Sequence, residues 1–322
     1  MNQVKKGADI IQEESGSYPT QFELWTAAAF LYFKMQKTDI VVLETGLGGE
    51  RDATNVISTP LCSVITPISF DHISYLGNDI KEIAKAKAGI IKGPEGITVS
   101  SVQPPEVMEV IADKASERNN KLYIAKTVTS KATSDIYEVF DYDDMSNIVC
   151  GLGGIHQLDN AAVAATVLKK LDINPESIRY GIENAKNPAR FEMLSKQPLV
   201  IFDGAHNLSG ANALAESLER YFPNEKFTFV CAFMEDKDYS GMIERLAPIA
   251  NRFIATRVPE NPRALDAESL CKTMQKFSKN ASVEKEVFAA LERALTDEKI
   301  VICGSLYLYS FIKDYFSQNP LQ

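Results

Sequence analysis

The stretch Asp39-Ile-Val-Val-Leu-Glu44-Thr-Gly-Leu-Gly-Gly49-Glu-Arg-Asp52-Ala-Thr-Asn55-Val-Ile57 decides how the chain is read. Ile40 to Leu43 is a short, unbroken apolar run, which predicts a strand buried on both faces of a parallel sheet. The run stops at Glu44, so its carboxylate stands at the strand's carboxyl end, the edge at which open α/β sheets bind ligands. Gly46, Gly48 and Gly49 follow, and glycine lets a backbone turn tightly against a ligand. A plain βα turn with a solvated glutamate accounts for the same residues, because one acid before a glycine-rich turn carries little information. The remaining sequence has to separate the two.

Length and composition narrow the classes. The 322 residues, 45% of them hydrophobic, suit two globular domains better than one. A net charge of -9 with no long Lys/Arg run argues against nucleic acid or an anionic membrane surface as the main partner. No apolar run approaches the ~20 residues of a membrane span, and the first twenty residues lack a signal-peptide core, so a cytoplasmic protein is expected. The five cysteines are widely spaced without a CxxC pair. Cys62, Cys150, Cys231 and Cys303 lie in or beside apolar runs and read as small buried hydrophobes of a reducing compartment. There are only three histidines, His72, His156 and His206, each in a polar local pattern.

Residues 1–19 are polar, and a helix is expected from about Gln21 to Met35, with Phe22, Trp25, Ala29 and Phe33 at helical spacing. A strand near Cys62 to Thr66 runs into Pro67-Ile-Ser-Phe-Asp71-His72, placing an imidazole just past a second strand end. Asn78 to Lys92 opens with capping residues and reads as helix. Its apolar stripe is Ile80, Ile83 with Ala84, then Ile90 with Ile91, and Lys87 falls on that stripe while Lys81, Lys85 and Lys92 face away. An inward lysine costs several kcal/mol unless it is paired, neutralised or modified. The bland account is a lysine snorkelling from the stripe's rim.

Strand Ile97 to Ser100, helix Pro105 to Arg118 and strand Leu122 to Ala125 continue an alternation that favours a parallel sheet. Thr127 to Cys150 reads as two or three antiparallel strands. An alanine-rich helix then follows His156, with Gln157 and Asn160 on one face of its first turn. Past a shorter helix (175–185) and the hinge-like Asn187-Pro188, strands 199–202, 227–231, 253–256 and 300–303 alternate with helices near 208–221, 238–249, 267–278, 285–296 and 305–317. The first of these strands ends Asp203-Gly-Ala-His206-Asn207. Glu44, Asp71, His72, Lys87, Asp203 and His206 thus fall at strand ends or on an inward helix face, where carboxylate and imidazole can share a divalent metal or hold two ions bridging a polyphosphate.

Taken in order, these motifs resemble folylpolyglutamate synthase, including the bifunctional dihydrofolate synthase forms, of the Mur ligase superfamily. Glu44-Thr-Gly-Leu-Gly-Gly with Asp52-Ala-Thr-Asn55 is similar to one signature of that family, and Asp71-His72, Tyr75-Leu-Gly77 and Lys87-Ala-Gly-Ile-Ile-Lys92 to a second. His156-Gln157 with Asn160, Arg190-Phe-Glu192, Asp203 to Asn207 and Gly304-Ser-Leu-Tyr307 continue in the family's order. The resemblance implies an α/β protein with a Mur-ligase-like central domain, its parallel sheet N-terminally incomplete, over residues 1–189. A Rossmann-like C-terminal glutamate-ligase domain is implied over 190–322. It further implies that ATP phosphorylates the carboxylate of a folate or dihydropteroate and that L-glutamate attacks the acyl phosphate. Glu44 and His72 would each hold Mg²⁺, and the amine of Lys87 would carry CO₂ as a carbamate. Asn160, Arg190 and Asp203 would contact the nucleotide, and Lys87, Asp203 and His206 would form the catalytic set.

The family also places a Gly-Lys-Ser/Thr phosphate loop well before the opening stretch, and no such triplet occurs in this sequence. Weak ATP binding and little turnover are therefore expected, together with an unpaired strand edge and an exposed apolar patch. A monomer is expected, with that edge as the place where association would begin. The competing readings are a non-catalytic folate-binding or interaction protein built on the ligase scaffold, and a Mur-type amino-acid ligase acting on another substrate.

Overall fold

The computed structural model describes residues 2–70 and 77–319, which divide into two compact units, 1–124 and 125–322. In the first unit, strands β1 (Ser63–Ile65), β2 (Ile97–Ser100) and β3 (Lys121–Ile124) form a parallel sheet in that order. Helices Ile80–Ala88 and Pro105–Glu117 pack beside it, burying Ile83, Ala84, Ala88, Val107, Ile111 and Ala115 against Ile65 and Ile91. Asp79 caps the first of these helices by accepting the Lys81 N–H. The helix stops at Gly89, short of the expected Lys92. The polar N-terminal segment is itself a helix, Asn2–Ser15, because Val4 and Ala8 are one turn apart and share a buried face.

The predicted strand at Ile40 to Leu43 is not one. The segment joins no sheet, and Ile40, Val41 and Val42 are exposed, Val42 at 93%. A strand exists only through a neighbour's N–H and C=O groups, and among the described residues β1 ends the sheet with no strand beyond it. The preceding helix, Gln21–Gln36, has the Thr20–Glu23 capping box but buries none of its side chains fully. Trp25 and Met35 stand out at 61% and 74% exposed.

The second unit opens with an antiparallel meander, β4 (Ala132–Ser134), β5 (Tyr137–Tyr142) and β6 (Met145–Val149). Helices Gln157–Lys170 and Pro175–Glu183 close its inner face over Phe140, Ile148 and Leu158. The rest is a six-stranded sheet of order β11-β10-β9-β12-β8-β7, built from β7 (Glu192–Lys196), β8 (Leu199–Phe202), β9 (Phe227–Cys231), β10 (Ala250–Ala255), β11 (Ala281–Val283) and β12 (Lys299–Cys303). All pairs are parallel except β7 on β8.

Successive residues in this sheet serve opposite faces, as the two-residue period of a strand requires. Leu199, Ile201, Phe229 and Phe253 meet helices Leu208–Tyr221, Tyr239–Leu246 and Ala267–Phe277. Val200, Phe202, Val230 and Ile254 meet Val287–Ala294 and Leu308–Gln318. Each Phe or Ile so buried contributes about 1.5–3 kcal/mol, which makes this doubly wound core the main store of apolar burial. The edge strands β7 and β11 escaped the sequence reading because both are only partly buried and lack an apolar run. All five cysteines are free thiols: Cys150, Cys231 and Cys303 are buried as expected and Cys271 with them, whereas Cys62 is only half-buried. No helix among the described residues is long and apolar enough to cross a membrane.

Candidate active site

In the first unit the glycine turn and the lysine helix meet. A Cβ on Gly49 would lie 2.7 Å from the Ala86 carbonyl oxygen and 2.9 Å from that of Lys87, so only glycine allows this approach. The Glu50 N–H donates to the Ala86 carbonyl at 2.8 Å. Asp52 shapes the turn by accepting the N–H of Leu47 (2.9 Å) and the N–H and hydroxyl of Thr54 (2.9 and 2.6 Å). Burial pushes the Asp52 carboxyl up, but these bonds outweigh it and the net direction is down. Asn55 Nδ2 donates to the carbonyls of Glu50 and Gly89, tying the turn to the end of the helix. Asp52 and Asn55 are therefore braces of the loop.

Glu44 is exposed at the start of this turn. Lys87 is half-buried rather than inward, because Ala88 takes the core position beside it and leaves Lys87 at the rim of the apolar stripe. His72 and Asp71 lie outside the described residues. Among the described residues no three His, Cys, Asp or Glu side chains gather closely enough to hold a metal ion. Glu44 by itself offers a hard carboxylate oxygen of the kind Mg²⁺ prefers.

In the second unit the sheet's strand order brings two motifs side by side. β8 and β12 pair in register, and past their carboxyl ends the Asp203 N–H donates to Ile302 O and the Gly304 N–H to Ala205 O, both at 2.9 Å. Asp203 is 6% exposed, and both carboxylate oxygens are engaged by backbone: Oδ2 accepts the Phe191 N–H at 2.8 Å, Oδ1 the Ala205 N–H at 2.7 Å. Burial pushes its carboxyl up to about 6, against the pull of those two N–H groups, Arg190 and His206. Each Asp203 oxygen thus already accepts one backbone N–H, with a second lone pair remaining on each. His206 Nδ1–H donates to the Gly204 carbonyl at 2.8 Å, which leaves Nε2 as the acceptor of the neutral ring.

A directional chain lies at the start of helix Gln157–Lys170. Asn160 Nδ2 donates to Gln157 Oε1 (2.9 Å), and Gln157 Nε2 donates to His156 Nε2 (3.0 Å). That sequence of donors requires the His156 proton on Nδ1, whose buried position has no partner among the described residues. Burial, and then the charge of Arg190, hold His156 below its usual value and keep the ring neutral. Arg190 is half-exposed, and its guanidinium has no hydrogen bond or ion pair among the described residues. A guanidinium without a partner among the described residues and the side-chain amide of Asn160 offer donors suited to an anionic, hydrogen-bonding ligand. Sequence reasoning assigned no role to Phe191 or Glu192. The triplet Arg190-Phe-Glu192 was a signal, but a linear motif does not disclose a left-handed backbone.

Residues 5–168 match the Mur ligase middle domain, and residues 189–306 match the Mur ligase glutamate ligase domain. A dihydrofolate synthase/folylpolyglutamate synthase of Bacillus subtilis (strain 168) is 36% identical over 97% of this chain and 76% of its own length. A folylpolyglutamate synthase of Lacticaseibacillus casei is 33% identical over 96% and 74%. Among solved structures, the Mycobacterium tuberculosis folylpolyglutamate synthase complexed with ADP and AMPPCP superposes with a TM-score of 0.88 at 29% identity, over 99% of this chain and 78% of that one. The chain belongs to the Mur ligases, ATP-dependent amide-forming enzymes, in their folylpolyglutamate/dihydrofolate synthase branch.

Proposed function

We propose that this chain joins L-glutamate to a folate, or to dihydropteroate, through an acyl phosphate formed with ATP in the cytoplasm. The observation that carries the proposal is the convergence of Arg190, Asp203 and His206 beside β8 in a chain of this family. Arg190 and Asn160 contact the nucleotide, with Asp203 holding the backbone beside Arg190. His206 Nε2 accepts a hydrogen bond from the incoming amine or orients the phosphate. In the division of labour proposed, residues 1–189 bind ATP and residues 190–322 receive glutamate. Glu44 and His72 hold Mg²⁺, which supplies charge neutralisation of the phosphates. Lys87 adds CO₂ to its free amine, releasing a proton and becoming a carbamate anion. Its half-buried place at the rim of the apolar stripe, with no ion pair among the described residues, supports that reading.

Phosphate release measured with Mg-ATP, glutamate and each of tetrahydrofolate, dihydropteroate and a cell-wall precursor tests the proposal. Release that needs a folate or pteroate together with glutamate supports it, and release driven by the cell-wall precursor alone favours a Mur-type ligase. A second reading, an interaction protein on a ligase scaffold, is favoured by the exposed apolar side chains of helix Gln21–Gln36. Folate binding by calorimetry with no effect of nucleotide and no phosphate release would select it.

A further inference from the structure

Arg190 sits between two residues that are left-handed although neither is glycine, Ala189 at φ +63° and Phe191 at φ +42°. An L-residue there presses its Cβ on backbone oxygen, so such a pair persists only where the surroundings over-determine it. They do so here on every side. The Ala189 N–H donates to Glu192 Oε2 at 2.8 Å, and the Ala189 carbonyl accepts the Gly204 N–H at 2.8 Å. The Phe191 N–H is held by Asp203, and the Phe191 ring, 1% exposed, packs on Tyr221 with centroids 5.6 Å apart. Glu192 is anchored in turn, its Oε1 lying 3.4 Å from Lys313 Nζ on helix Leu308–Gln318. The backbone on both sides of Arg190 is fixed while its guanidinium is left free.

We propose that Glu192 is a positioning residue: by holding the Ala189 N–H from an anchor on helix Leu308–Gln318, it maintains the left-handed turn that presents Arg190 to the nucleotide phosphates. The proposal rests on the reading of Arg190 as a nucleotide contact. Glu192 itself touches neither substrate nor nucleotide. Losing a charge-assisted bond of this kind is worth about a tenfold change in an equilibrium.

The test uses the full chain with Glu192→Ala, Glu192→Gln, Lys313→Met and Arg190→Ala. Two quantities are read: Mg-ADP affinity by fluorescence titration and hydrogen exchange of the peptide spanning residues 187–192. Glu192→Ala should weaken ADP about tenfold and speed exchange in that peptide, whereas Glu192→Gln, whose amide oxygen still accepts the Ala189 N–H, should stay within about twofold of the original chain. Lys313→Met removes one of the two groups of that helix that hold Glu192, the Tyr309 hydroxyl being the other, and should shift both readouts in the same direction by less, which keeps the test open if Glu192→Ala does not fold. Unchanged exchange and ADP affinity in Glu192→Ala would overturn the proposal, as would a Gln variant as impaired as the Ala variant. Faster exchange with unchanged ADP affinity would reduce Glu192 to a structural tie and overturn its positioning role. If Arg190→Ala binds ADP as the original chain does, the nucleotide reading of Arg190 fails and the positioning role falls with it, while the exchange data still report whether the tie exists.

Discussion

The Phe191 N–H donates to Asp203 Oδ2 at 2.8 Å, and together with the Gly204 N–H bond to the Ala189 carbonyl it fastens the linker before β7 to the carboxyl end of β8. It places a buried carboxylate where its charge is opposed by burial and favoured by two amides and, less strongly, by Arg190 and His206. Folded Asp203 therefore keeps its proton up to about pH 6, while the unfolded chain loses it near the usual 3.8. Between those values the folded state binds more protons, so stability is present below the lower value and falls as pH rises through the upper one. Relative to Asp203→Asn, the original chain should lose up to about 3 kcal/mol across this window. Urea unfolding at about pH 4 and about pH 7 measures it; parallel profiles for the two proteins would refute the assignment.

Gly49 is the contact point between the glycine turn and helix Ile80–Ala88, where an added Cβ meets two backbone oxygens. Backbone cannot swing aside as a side chain can. Gly49→Ala is expected to destabilise the first unit by about 1–3 kcal/mol and to lower turnover through the displaced Glu44 loop. Thermal unfolding decides it, and an unchanged midpoint would count against the close packing.

Gly204 presents the contrasting case. Its added Cβ collides with the side chain of Leu306 from the neighbouring motif, and Leu306 is partly exposed and flexible. Gly204→Ala should therefore cost about 1–2 kcal/mol alone and be largely restored in the double variant with Leu306→Ala. A thermodynamic cycle on the four proteins reads the coupling directly, and additive effects would show that the two motifs do not press on each other.

Trp25 is the single tryptophan and stands 61% exposed on helix Gln21–Gln36. Its emission should peak at the long wavelength of a solvated indole and be quenched readily by iodide. Exposed apolar side chains of this density also favour association, so Trp25→Ser together with Met35→Ser should lower any concentration-dependent rise in mass seen by light scattering. Short-wavelength emission shielded from iodide, with mass independent of concentration, would contradict both expectations.

Apart from the edge strands β7 and β11, the order of elements was legible from residue 97 onward because apolar periodicity is a local property. Leu199 to Phe202 and Phe227 to Cys231 were placed to the residue, as each strand is buried on both faces and bounded by polar turns. Ile40 to Leu43 has the same local signature and is not a strand, since pairing is a property of a neighbour and none adjoins it among the described residues. Lys87 was placed on the correct side of its helix but half a position too deep, because stripe width depends on which neighbour, here Ala88, enters the core.

By itself the sequence pointed to the ligase family, through motifs carried by residue type and spacing, and it named Asp203 and His206 with Lys87 as a catalytic set and Arg190 with Asn160 and Asp203 as nucleotide contacts. Only the tertiary structure decided which of their hydrogen-bonding groups the chain itself engages. Asp203 spends both oxygens on backbone, and Glu192 enters the account through a bond to Ala189. Arg190 is left free between two left-handed residues. The reason is that residue type limits what a side chain can donate or accept, while burial and the backbone groups brought near it by strand order fix which of those capacities remain for a ligand.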